Sequence, residues 1–223
     1  MREEQTLINI EPLKQRILLS LALGVLIIFH LVGFWGLQFS NNAAYFQSLT
    51  PLNLLLTSFL LFSFHKEWNK TFVLFMVLVA VTGFVAEYVG IHTGLLFGNY
   101  KYGASLGIKL WDVPLLIGLN WLILIYVTGQ IASYVGGSIW VRSFIGAQLM
   151  VVLDLFLEPV ATKFDFWHWA DNVIPVSNYL GWFGLSFILQ YYYQHTPINR
   201  QNPMSVAVYV VQLFFFVCLY MFM

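Results

Sequence analysis

The sequence predicts an all-α fold, a polytopic membrane bundle of about seven transmembrane helices with its N-terminus inside. Three observations carry this expectation. Hydrophobic residues make up 60% of the chain and charged residues only 9%, where a soluble domain carries about 25% charged residues. Mean hydropathy is +0.77. The apolar residues fall in long runs, each near the roughly 20 residues that cross a bilayer as a helix. So much apolar surface calls for lipid as its solvent.

The predicted spans cover residues 16–38, 50–68, 71–92, 111–133, 138–159, 175–194 and 202–223. The second opens on Thr50 and Pro51, an N-cap followed by proline at the first helical position. The seventh opens on Asn202 and Pro203. No internal repeat or low-complexity segment divides the chain, so 1–223 reads as one integral membrane domain. Residues 1–15 read as a polar stub, and no cleavable leader is expected because the first apolar run is too long for one.

Basic residues set the expected orientation. With the N-terminus inside, the inner side holds Arg2, Lys14, Arg16, Lys66, Lys70, Arg142 and Arg200, and the outer side holds Lys101, Lys109 and Lys163. Ten basic residues balance ten acidic ones, so nothing points to nucleic acid as a partner. The single cysteine, Cys218, excludes an intramolecular disulfide and a cysteine-based zinc site. Two outer loops, near 92–110 and 161–174, are longer than the usual connection in a bundle and rich in glycine and aromatic residues.

Ionisable residues inside a membrane cost about 2.5–3.5 kcal/mol each on insertion scales. Four acids nevertheless fall within or at the ends of predicted spans: Glu87, Asp112, Asp154 and Glu158. All four lie toward the outer end. Asp154 and Glu158 are four residues apart and share a helix face. His30 lies in the same outer half. Asp112 also suits an N-cap, and Glu158 an interfacial position. His92 and His168 read as interfacial. Trp167 and Trp169 suit interface anchors. Gly83 and Gly90 flank Glu87, so its face admits close approach by a neighbouring helix.

At these residues the sequence resembles a known family. The stretch EYVGIHTGLLFGNYKYG, from Glu87 to Gly103, is similar to the signature of the CruF-type carotenoid biosynthesis proteins, the carotenoid 1′,2′-hydratases. WDVPLLIGLNW, LDLFLEPV and IPVSNYLGWFG follow in the same order, so the resemblance spans Glu87 to Gly184. The family commonly has Asp-Pro where this chain has Glu158-Pro159, and a glycine where Phe166 precedes Trp167. It is distantly similar to the small membrane lycopene cyclases.

The resemblance implies addition of water to the terminal 1′,2′ double bond of an acyclic carotenoid end group, without a cofactor or metal, in the inner membrane. It implies a carotenoid and water as partners, with other carotenoid-pathway enzymes as candidate neighbours. An alkene is a poor base, so the donor must be a carboxylic acid that keeps its proton. A buried acid beside another acid does so. Asp154 or Glu87, the deeper acids, is the expected donor. Glu158 is the expected acceptor of the proton from incoming water, and Asp112 or His30 orients that water. Tyr88, Tyr100, Tyr102, Trp111 and Trp182 are candidates for stabilising the cation. Thr93, Phe97, Trp121, Trp167, Trp169 and Asn178 complete the substrate-binding candidates in and around the matched segments.

A lycopene-cyclase-like reaction needs the same protonation and differs only in what captures the cation. A carotenoid-binding scaffold and a proton-coupled transporter are the readings from other classes. A retinal protein is set aside because the last span holds no lysine. A prenyltransferase is set aside because no basic cluster accompanies the single acidic motif.

Overall fold

The computed structural model describes residues 2–223, with side chains described for 13–223. It is a helical bundle. Its helices are α1 (Arg2–Phe39), α2 (Ala43–Ser48), α3 (Thr50–Ser63), α4 (Lys70–Thr93), α5 (Leu116–Val135), α6 (Ile139–Lys163), α7 (Val176–His195) and α8 (Met204–Met221). Five of them, α1, α4, α5, α6 and α8, are long and apolar enough to cross a membrane. This is a helical membrane protein, as its composition predicts.

The expected count of seven spans is not reproduced. α3 has 14 residues, roughly 21 Å of helix against a hydrocarbon core of about 30 Å. It stops at Ser63 because the chain turns back there. His65 stacks on Phe72 at 3.5 Å between ring centroids and hydrogen-bonds the Tyr126 hydroxyl through Nδ1 at 2.8 Å. α7 has 20 residues, but Asn178, Ser186, Gln190 and Gln194 lower its hydropathy. Those four recur every four or eight residues, on one face, and all are buried.

Other boundaries differ for local reasons. The polar stub continues α1 back to Arg2. Thr50 lies inside α3, whose N-cap is Leu49. α6 runs through Pro159 to Lys163. α5 begins only at Leu116, because 109–114 form a hairpin of β2 (Lys109–Leu110) and β3 (Val113–Pro114). Trp111 and Asp112 make its two-residue turn, with φ of 51° and 65°, the positive values that a type I′ turn needs at both positions.

α5 is the central helix, buried over most of its length, and packs against α3, α4, α6, α7 and α8. The long loops do not stand apart. β1 (Tyr100–Tyr102) pairs antiparallel with β4 (Trp167–Trp169), in register Tyr100 to Trp169, Lys101 to His168 and Tyr102 to Trp167. Side chains alternate across a strand. Tyr100, Tyr102, Trp167 and Trp169 therefore face the bundle, while Lys101 stays exposed.

The helix ends sort into two levels. Lys163 Nζ donates to Gln38 Oε1 at 3.2 Å, and Asn199 donates to Glu67 Oε1 at 2.8 Å. In a chain whose Cys218 is replaced, Lys66→Cys and Lys101→Cys should react with impermeant thiol reagents from opposite faces of the membrane. Reaction of both from one face contradicts this arrangement.

Candidate active site

Three carboxyl groups are buried beneath the β1–β4 ribbon. Glu87 comes from α4, and Asp154 and Glu158 from successive turns of α6; their exposures are 3%, 0% and 1%. Each meets a different set of donors, and those sets divide the work.

Glu87 accepts three hydrogen bonds. The Tyr100 and Tyr102 hydroxyls both donate to Oε2, that from Tyr102 at 2.6 Å. Trp121 Nε1 of α5 donates to Oε1 at 2.9 Å. The two phenols stay protonated, because burial first and the nearby Glu87 charge second push both well above the ordinary tyrosine range. Three fixed donors favour the ionised form of a carboxyl, and burial opposes it.

Glu158 also accepts three. Trp167 and Trp169 Nε1 donate to Oε2 at 2.9 and 2.6 Å, and Asn178 Nδ2 of α7 donates to Oε1 at 2.8 Å. The same Asn178 nitrogen donates to Asp154 Oδ2 at 2.9 Å, so one amide joins the two acids. Asp154 Oδ1 is buried with no partner among the described residues. Asp154 and Glu158 stand one turn apart on α6 and meet on that one nitrogen, and of two buried carboxyls so close, one keeps its proton. Asp154, with one donor for its two oxygens, is the member built to be neutral.

Glu87 and Glu158 line a small pocket, about 10 Å³, walled by Phe97, Tyr100, Tyr102, Ile117, Trp167, Trp169, Asn178 and Trp182. Trp182 stacks on Trp121 at 4.7 Å between centroids. Asp154 is not in the wall and sits behind Glu158 and Asn178. Close approach makes the pocket possible. A Cβ on Gly83 would fall 2.5 Å from Trp121 Cβ, and one on Gly90 would fall 2.7 Å from the Phe97 ring. Gly83 thus admits a neighbouring helix as expected, whereas Gly90 admits the loop.

An apolar cavity of about 240 Å³ adjoins the pocket and shares Ile117 and Trp167 with it. Helices α1, α2, α3, α5, α6 and α8 line it. Phe29, Val32 and Leu52 belong to its lining and are themselves exposed, so it opens between α1 and α3 on the apolar outer surface of the bundle.

The loop ribbon is pinned from outside. Asp165 Oδ2 accepts from the Ala104 amide at 2.8 Å, and Oδ1 from His168 at 2.7 Å. Partial desolvation raises the Asp165 carboxyl, but the His168 and Ala104 hydrogen bonds together outweigh it and hold the group below its usual range.

Of the residues singled out in the sequence, Glu87, Asp154, Glu158, Phe97, Tyr100, Tyr102, Trp121, Trp167, Trp169, Asn178 and Trp182 come together. The others do not. Asp112 is exposed in the hairpin turn. Trp111 is 66% exposed, and Tyr88 packs on it and on His92 outside the pocket. Thr93 donates to the Val89 carbonyl at the end of α4. His30 is buried, but it lines the apolar cavity. Ile117, which joins the two spaces, carries no sequence signal. Among the described residues, no three histidine, cysteine, aspartate or glutamate side chains are grouped as a metal site.

The family model described as "Carotenoid biosynthesis protein" matches residues 49–223. The bisanhydrobacterioruberin hydratase of Haloarcula japonica is 31% identical over 121 residues, a match covering 48% of this chain and 40% of that protein. The chain therefore matches well under two thirds of that relative's length. No solved structure matches.

Proposed function

Because the chain belongs to the carotenoid biosynthesis protein family, we propose that it is a carotenoid 1′,2′-hydratase of the inner membrane. It adds water to the terminal double bond of an acyclic carotenoid end group and leaves a tertiary alcohol. The observation that carries this reading is the buried acid pair on Asn178, placed at an aromatic pocket that adjoins an apolar, outward-opening cavity. The hydratase named among its relatives supports it.

The substrate end enters from the bilayer between α1 and α3. The cavity is smaller than the roughly 300–1,000 Å³ of a pocket that encloses a whole ligand, so the rest of the polyene stays in lipid. The Asp154–Glu158 pair holds one proton, which rests on Asp154 and passes through Glu158, the member that lines the pocket. Transfer to C2′ breaks the π bond, forms a C–H bond and leaves a tertiary cation at C1′. The carboxylate of Glu87 and the faces of Tyr100, Trp169 and Trp182 stabilise that cation. Water attacks C1′, and the proton it releases returns to the pair. The π bond and one O–H bond of water break, one C–H and one C–O bond form, and no electrons are transferred.

Asp154 thus acts through Glu158, and Glu158 both gives and regains the proton. The chemistry needs no Lewis acid. Chelators are expected to leave activity unchanged; loss with EDTA and recovery with a divalent ion would contradict the mechanism. Expression in a host that accumulates lycopene or γ-carotene tests the reaction itself. Pigment heavier by one water supports the hydratase, an isomer of unchanged mass indicates a cyclase, and unchanged pigment indicates a scaffold or transporter.

A further inference from the structure

Several polar residues line the apolar cavity outside the carboxyl pocket, among them His30 of α1, Asn53 of α3 and Gln212 of α8. His30 and Gln212 are buried, at 6% and 7% exposure. Asn53 Oδ1 and Gln212 Oε1 are buried and have no hydrogen-bond partner among the described residues. His30 donates through Nδ1 to the Leu26 carbonyl at 2.8 Å, which leaves Nε2 as an acceptor. Its ring meets the edge of Phe215 at 5.4 Å, and Phe215 lies three residues from Gln212 on α8, so the two share a face.

Buried polar atoms with no partner are destabilising, and native proteins leave few of them. A bare hydrocarbon in the cavity would leave both amides and His30 Nε2 unpaired. A hydroxyl group would donate to His30 Nε2 and accept from an amide N–H of Asn53 or Gln212. We infer that the cavity contains a hydroxyl-binding subsite, formed by His30, Asn53 and Gln212, that holds an alcohol carried on an isoprenoid chain. The inference rests on the hydratase reading and adds to it the class of ligand the cavity selects. The alcohol has two sources, the tertiary hydroxyl made in the reaction or a hydroxyl already on the substrate.

The test uses the purified full chain in lipid nanodiscs, titrated with lycopene and with its monohydroxylated counterpart and followed by quenching of tryptophan fluorescence. The alcohol should bind about tenfold tighter, the scale of one hydrogen bond to an otherwise unpaired buried group. Asn53→Leu with Gln212→Leu should bring the alcohol down to the level of the hydrocarbon, and Gln212→Leu alone should do so in part. Equal binding by the unaltered protein overturns the inference and leaves ordered water as the occupant. A preference that survives the double substitution overturns it too. Product inhibition relieved by the substitutions assigns the hydroxyl to the product. A lower KM for a hydroxylated substrate, lost in the variant, assigns it to the substrate. Mass analysis of hydration in the same preparation separates failure of the subsite from failure of the hydratase reading.

Discussion

Asp154→Asn is expected to lower hydration by about 10²–10⁴-fold, the usual contribution of a general acid, while the protein still inserts and accumulates. The change is nearly isosteric and keeps a group for Asn178 to meet, but it removes the proton that the acid pair supplies. Glu158→Gln should fall in the same range, because Glu158 is the member of the pair that reaches the pocket. Pigment analysis beside quantitation of membrane protein checks both. Near-normal hydration in Asp154→Asn would make that acid structural.

Glu87→Gln should abolish detectable hydration and also weaken the fold. It exchanges a carboxylate that accepts from Tyr100, Tyr102 and Trp121 for an amide with one acceptor oxygen. At least one buried donor then loses its partner, at about 1–3 kcal/mol, and the pocket loses the charge that faces the cation. Tyr102→Phe separates the two effects. It removes one donor and leaves the charge, so hydration should persist at a reduced rate. Thermal unfolding in detergent, read beside product yield, distinguishes them. Full activity in Glu87→Gln would rule out a role for its charge.

The acids are visible in the sequence because charge inside an apolar run is costly and rare, and the four-residue spacing of Asp154 and Glu158 places them on one face. Their donors are less visible. Trp167 and Trp169 reach Glu158 only because β4 pairs with β1, more than 60 residues earlier in the chain, and pairing over that distance leaves no local signal. The alternation of aromatic and polar residues in Tyr100-Lys101-Tyr102 and Trp167-His168-Trp169 does mark two half-buried strands. Asp112 is misplaced because its turn lacks the Asn-Gly or Asp-Gly pair that announces a type I′ hairpin, so the apolar run reads as beginning at Trp111. His30 is separated from the acids by packing. α1 lies against α8 and α3 and delivers the histidine to the cavity. Asn53 and Gln212 stand out only as polar residues in apolar runs, and it is the cavity that gives them a common purpose.

Isotope incorporation tests the central claim most directly. The purified protein is supplied with lycopene in deuterated water enriched in ¹⁸O. The account predicts an alcohol with ¹⁸O on the tertiary carbon and one deuterium on its neighbour, and neither label in the Asp154→Asn variant. A product that carries deuterium without ¹⁸O, or that forms equally well without Asp154, would contradict it.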